Sequence, residues 1–453
     1  MNLIFDVNDK PKFGQLIIFA IQELLAIMAA TLVVPIIVNG NTGANMSPAA
    51  ALFGAGVGTL VYIFFTKKKS PVFLGSSFAF LGSMPVAFAG AATMALGYLG
   101  LILGAIFAGL VYVVIALVVK FVGVGWINKL MPAVVIGPTV SIIGLSLAGN
   151  AVGDLKTAPA GGDSRLAILC GLVTLIVTML CSTFGKKGLK LIPFIIGILA
   201  GYIVAAIFTL IGSVTGNDAL MISNFSALTA LFSDGVKLTS FVDLPRFTFI
   251  EALGSFSELN GSYIASVAVA YIPVAFVVFA EHIADHKNIS SIIGKDLLED
   301  PGLSRTLLGD GVGSIAGAFF GGCPNTTYGE AVACVAITRN ASVATTITAA
   351  IGAILISFLS PFVAFVNTIP SCCMGGVCIA LYGFIAVSGL KMIQQIDLGE
   401  NKNLFVVSSI LIAGIGGLSL TFGKVTITSI ACALILGIIV NLILSCKCKK
   451  SEE

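Results

Sequence analysis

Residues 321–331 read GGCPNTTYGEA, a polar interruption in a chain that is apolar almost everywhere else. Gly321, Gly322 and Pro324 stop a helix, and Asn325, Thr326 and Thr327 are residue types that cap a new one. Glu330 then places a carboxylate in the first turn of that new helix. A charge there is costly inside an oily segment unless the position serves a function. The stretch therefore predicts a helix that restarts partway through a membrane, with unpaired N–H groups at its start aimed at a ligand.

The rest of the chain agrees with a membrane setting. Of 453 residues, 57% are hydrophobic and only 10% charged, and the mean hydropathy is +1.08. A soluble domain of ordinary composition is excluded. The opening residues MNLIFDVNDKPK are polar and acidic and carry no cleavable leader pattern, so the first helix is expected to act as its own targeting signal. The ten cysteines lie mostly inside apolar runs with no metal-ligand spacing and read as small hydrophobic residues. No cofactor, metal or nucleic-acid signature is present, and the two histidines sit together with no nucleophile arrangement, so an enzyme is not expected.

Apolar runs fall near 14–38, 47–66, 72–90, 94–119, 130–149, 166–185, 191–213 and 262–286. They continue near 303–320, 327–338, 341–360, 371–390, 403–421 and 427–446, which makes fourteen candidate spans. With a cytoplasmic N-terminus, inner segments hold nineteen of the 24 Lys and Arg residues, among them Lys129, Lys187, Lys449 and Lys450. The outer segments hold only Lys156, Arg165, Lys237, Arg246 and Lys424. That bias places both termini in the cytoplasm. The long polar outer segment 214–246 separates two sets of seven, so the second set must run inverted relative to the first. The expected division is residues 1–213, the connecting segment 214–246, residues 247–446 and a cytoplasmic tail 447–453.

The two irregular spans are the third of each half. Span three opens SPVFLGSSFAF and span ten CPNTTYGEAVA, so each places a proline just ahead of a small or polar helix start. Ser76 or Ser77 is expected to cap the first and Asn325, Thr326 or Thr327 the second, with the two half-helix N-termini meeting near mid-bilayer. Gly329 lets a ligand approach the backbone, and Phe78 lies in the opposite first turn. Glu330 and Glu281, the latter deep in its apolar run, add acceptors to these donors. Two carboxylates repel an anion, so the site suits a neutral ring with C=O and N–H on its rim, such as the imide of uracil. Phe78, Tyr328 and Tyr382 are candidates to stack on or edge that ring.

Other ionisable residues divide between structural and functional readings. Asp285, one turn beyond Glu281, is either a solvated helix end or a station on a proton path. His282 and His286 do not share a helix face with Glu281, which argues against a pH switch at the ligand. Glu23, next to Gln22, either lines the cavity or bonds to another helix, and Arg339 reads as snorkelling to the inner face.

Taken in order, GSSFAF at 75–80, FAEHI at 279–283, KDLLEDPGLSRTL at 295–307, PNTTYGE at 324–330, AITR at 336–339, MGGV at 374–377 and LYG at 381–383 form a specific series. In these motifs the chain resembles the nucleobase/ascorbate transporter family from end to end, most nearly its bacterial uracil permeases. The resemblance implies an all-α polytopic fold of about fourteen spans in two inverted sevens. It also implies core and gate domains and short extended breaks in spans three and ten. It implies a proton-coupled symporter importing a nucleobase, with uracil first, xanthine or another purine as alternative, and an anion transporter of the same architecture behind them. Glu281 and Glu330 then look like the substrate carboxylates, the backbones of Phe78 and Gly329 like donors to the base, and Tyr328 and Tyr382 like wall contacts. Glu281 and Asp285 look like the proton-coupling pair. The partners are the base, protons and the lipid bilayer of the cytoplasmic membrane, with room for a homodimer. This chain departs from the family pattern at Ala331-Val332-Ala333, where Asn-x-Gly is usual, at Asp285, where a histidine is expected, and at Glu23, where a histidine often follows Gln22.

Overall fold

The computed structural model describes residues 3–123, 126, 132–159, 161–186, 189–233, 235–422 and 425–448. Lys129, Lys187, Lys424, Lys449 and Lys450, counted in the charge bias, lie outside them. The first four segments are α1 (Phe13–Thr42), α2 (Pro48–Phe65), the strand β1 (Leu74–Ser76) leading through a 3₁₀ turn Phe78–Gly82 into α3 (Met84–Ala89), and α4 (Met94–Val122). Next come α5 (Ala133–Ser146), α6 (Ala148–Lys156), α7 (Ser164–Phe184) and α8 (Pro193–Thr215). After the connecting segment follow α9 (Gly261–Ile293), α10 (Leu303–Gly321), strand β2 (Asn325–Thr327) and α11 (Gly329–Thr338). The chain ends with α12 (Val343–Ile356), α13 (Ser371–Ile393), α14 (Asn401–Ile415), a hairpin of β3 (Leu420–Phe422) and β4 (Val425–Ile427), and α15 (Ser429–Cys448).

Local chemistry explains several of these boundaries. Ser47 accepts from the Ala50 N–H with Pro48 in the first turn of α2, Thr93 caps α4 through Leu96, and Asn260 caps α9 through Tyr263. Helix α9 stops at Gly294, whose φ of 69° suits glycine. Among the described residues, eight helical stretches are long and apolar enough to cross a membrane: α1, α2, α4, α5 with α6, α7, α8, α9 and α13. The chain is a multi-pass membrane protein.

Helices α1–α4 pack with α9–α12, while α5–α8 pack with α13–α15. Contacts between these two groups are thinner and run mainly through α9 against α5, α15 and β4, and through α1 against α8. Within the first group, α2 and α10 approach closely through glycines, as helices in lipid do. A Cβ on Gly58 would stand 2.7 Å from both the Gly313 carbonyl and the Asn325 Nδ2.

Segment 214–246 carries short helical turns at Asp218–Leu220, Ser226–Ala230 and Leu238–Ser240, and Val242 pairs with Leu359. The extended breaks expected in spans three and ten are strands β1 and β2, which pair antiparallel, and β3–β4 form a second antiparallel pair in an otherwise helical fold. One expectation needs correction. Neither break uses a side-chain cap: Ser77 and Tyr328 occupy the N-cap positions and make no capping bond. Asn325, Thr326 and Thr327 are instead taken up as strand β2, where the ladder, not a hydroxyl, satisfies the backbone.

Candidate substrate-binding site

The two breaks meet each other. In the ladder β1–β2, Leu74 pairs with Thr327, Gly75 with Thr326 and Ser76 with Asn325, and Ser77 N–H donates to the Pro324 carbonyl at 2.9 Å. Asn325 Nδ2 donates to the Gly54 carbonyl at 3.0 Å and Tyr328 Oη to the Ser76 carbonyl at 2.7 Å. These bonds fix the two short helices that leave the crossing, the 3₁₀ turn at Phe78 and α11 at Gly329. As first residues of their helices, Phe78 and Gly329 carry N–H groups with no intrahelical acceptor.

A cavity of about 310 Å³ opens beside this crossing, within the usual size of small-molecule sites. Its wall includes Glu281, Asp285, Gly329 and Glu330, and its outer reach is lined by Lys190, Asn288 and Met392. A smaller chamber of about 40 Å³ continues inward past Glu281, Gly329 and Glu330 to Phe78, Thr326 and Tyr328, with Ile143, Leu381 and Ile385 opposite. Gly329 is exposed to this space although it lies at the centre of an apolar chain.

Five of the six expected substrate residues therefore line these two neighbouring cavities, and all five line the smaller one. Tyr382 does not line it directly. Its ring stands edge-on to Phe78, with centroids 5.8 Å apart and planes at 78°, and backs that ring. The Tyr328 hydroxyl is committed to Ser76, which leaves the face of its ring as wall. Asp285 is buried rather than a solvated helix end, and Thr327 Oγ1 donates to its Oδ2 at 2.8 Å.

The histidines lie on the other side of α9. His282 Nδ1 is 2.7 Å from Asp310 Oδ2 and its Nε2 is 3.0 Å from Thr306 Oγ1. His286 Nε2 meets Tyr62 Oη at 2.6 Å, and Tyr62 Oη meets Ser70 Oγ at 2.7 Å. The two imidazoles stack with centroids 3.9 Å apart. None of them lines the cavity. Asp310, fully buried, escaped the sequence reading, yet the rule that marked Glu281, an acid inside an apolar run, applies equally to it. Glu23 is also buried and does not line the cavity.

Known proteins match this chain at several levels. A match to the permease family covers residues 14–422. A protein named uracil permease from Bacillus caldolyticus is 37% identical over 99% of this chain and 96% of its own length. Proteins of the same name from Bacillus subtilis and Escherichia coli are 36% and 35% identical, over 97% and 96% of this chain and 94% and 93% of theirs. Among solved structures, the transmembrane domain of the cyanobacterial bicarbonate transporter BicA superposes with a TM-score of 0.61 at 14% identity, covering 96% of this chain and all of that one. The murine anion transporter Slc26a9, in its inward-facing state, gives 0.60 at 11% identity, over 97% of this chain and 69% of its own. At such identities the structures establish the fold alone. The sequence relatives establish more: this chain is a transporter, not an enzyme, and belongs to the permease family, consistent with the nucleobase/ascorbate transporters that its motifs resemble.

Proposed function

We propose that the chain is a proton-coupled symporter that imports uracil across the cytoplasmic membrane, with N- and C-termini cytoplasmic. The observation that carries this reading is the shared space in which the carboxylates Glu281 and Glu330 face the N–H ends at Phe78 and Gly329. Such a rim offers acceptors to ring N–H groups and donors to ring carbonyls, which is the complement of an imide. The same two carboxylates speak against an anion, although the bicarbonate and Slc26 transporters share the fold. In this reading Glu281 and Glu330 hold the base, Phe78 and Gly329 donate from the backbone, Tyr328 forms wall and Tyr382 braces Phe78. Glu281 and Asp285 exchange the coupled proton.

The proposal includes two inverted repeats of seven spans, residues 1–213 and 247–446, moving as core and gate. What supports it is a recurrence in the packing when each segment is exchanged with the one seven spans later. Helix α4 on α10 matches α12 on α2, α1 on α12 matches α9 on α4, and α7 on α8 matches α14 on α15. Three elements pair with their own counterparts: α2 with α10, β1 with β2 and α5 with α13. A homodimer belongs to the same proposal, and the mass of the purified protein in detergent decides it.

Uptake of radiolabelled uracil into a permease-deficient bacterium, in competition with xanthine and other bases, tests the substrate. Uptake is expected to rise as external pH falls, to collapse with a protonophore and to ignore sodium. Glu330→Gln puts a donor where the base needs an acceptor and removes a charge-assisted bond worth about 2 kcal/mol, so affinity falls roughly thirtyfold. Unaltered uracil affinity in that variant refutes the site.

A further inference from the structure

We propose that Glu23 on α1 is a second proton-binding carboxylate of the transport cycle, set one helical turn behind the wall of the substrate vestibule. The inference rests on the proton-coupled reading above and adds a site to it. Glu23 is 4% exposed and its Oε1 has no hydrogen-bond partner. It is the sole acid of α1, and α1 carries no basic residue.

Among the described residues, no ion pair involves it. The Thr346 hydroxyl of α12 bonds to its carboxyl, and Cys334 of α11 lies near it. The remaining titratable groups on the packed elements are accounted for. Glu330, also on α11, lines the cavity, Tyr62 on α2 is bonded to His286, and Tyr202 on α8 to Thr368. Lys190, in the turn before α8, lines the vestibule. In the N-terminal segment, Asp6 is paired with Lys295, Asp9 accepts from the Asp6 N–H, and Lys10 and Lys12 are exposed, as is Arg339 at the end of α11. Elements β1, α3, α12 and the Phe78–Gly82 turn bear no charge. A carboxylate so placed, in the interior of a membrane protein, is far more costly ionised than neutral.

A route for the proton is built in. Ala26, one turn beyond Glu23, and Cys334 both line the vestibule, and the two pack together under Ile192 from the turn before α8. Ile192 leads into α8 of the other helix group, so this contact is one of the places where the two groups touch. Relative movement of the two groups lifts this cover and admits water toward Glu23, so the carboxyl is neutral when covered and free to ionise when wetted. A proton bound on one side of the membrane is thereby released on the other.

The test uses purified full-length protein in proteoliposomes, with uracil accumulation measured against imposed pH gradients. Each coupled proton multiplies the limiting accumulation ratio by about ten per pH unit. Glu23→Gln is expected to lower that slope by one factor of ten per pH unit while leaving uracil exchange at symmetrical pH intact, and Glu23→Asp to restore it. If wild-type accumulation ignores the gradient, the proton-coupled function itself fails. If wild type is coupled and Glu23→Gln has the wild-type slope, the Glu23 site alone is overturned. Should Glu23→Gln not insert, dicyclohexylcarbodiimide, which attacks protonated carboxyls in apolar surroundings, is applied to wild type. Peptide mapping is expected to find Glu23 modified increasingly as pH falls, and no modification at any pH overturns the proposal.

Discussion

Replacing Gly329 by alanine should move stability and binding in opposite directions. A Cβ at this position meets only Asp285 Oδ1, at 3.9 Å, which is ordinary contact, so the fold has room for it. Gly329 opens α11 with helical geometry, where alanine is favoured over glycine by about 0.5–1 kcal/mol. The variant should therefore be as stable as wild type or slightly more so. The added methyl, however, projects beside the N–H that, in the proposed site, reaches the carbonyl of the base. Lengthening or losing that bond leaves buried polar groups poorly paired, a cost of about 1–3 kcal/mol, or roughly five- to 150-fold in affinity. Thermal unfolding of the purified protein and equilibrium binding of labelled uracil read the two effects separately. Gly58→Ala is the contrasting control. Its Cβ is forced to 2.7 Å from Asn325 Nδ2 and the Gly313 carbonyl, so overpacking should cost about 1–3 kcal/mol of stability. Gly329→Val should abolish transport, and more thoroughly than Phe78→Leu, which keeps its N–H. Wild-type uracil affinity in Gly329→Ala would show that the backbone of α11 does not approach the ligand.

Two further variants separate the carboxylates. Asp285→Asn keeps a bonding partner for Thr327 but cannot release a proton, so it should impair uphill accumulation while base-for-base exchange survives; full accumulation would reduce Asp285 to a structural role. Asp310→Ala strands the buried His282 ring, and unfolding measurements should register a loss of about 1–3 kcal/mol, larger than for Asp285→Asn.

The break at residues 321–331 was legible because its residues contradict the apolar pattern on either side, and the same contradiction exposed Glu281 and the third span. What those residues do locally was not. Asn325, Thr326 and Thr327 have the composition of helix caps, yet they pair with Leu74–Ser76, a partner some 250 residues away that no local propensity encodes. The His282–Asp310 contact joins α9 to α10 across an interval that periodicity cannot bridge. The helical turns in 214–246 are too short to carry a periodic signal, and the apolar strands of the β3–β4 hairpin merge with the apolar runs on either side. Tyr382 was expected at the cavity wall, and only three-dimensional packing could show that its ring sits edge-on to Phe78.

The β1–β2 crossing also bears on how cells could escape a toxic base analogue carried by this protein. Donors that belong to the main chain, held by ladder bonds between residues 74–76 and 325–327, survive almost any side-chain exchange. On the function proposed above, selection for resistance has few targets that spare uracil: a substitution at Gly329 or at either carboxylate should penalise nutrient and poison alike. Resistant lineages should mostly lose the protein altogether, and those that keep it should carry changes in the apolar wall opposite, at Ile143, Leu381 or Ile385, where an added halogen is felt and the imide is not.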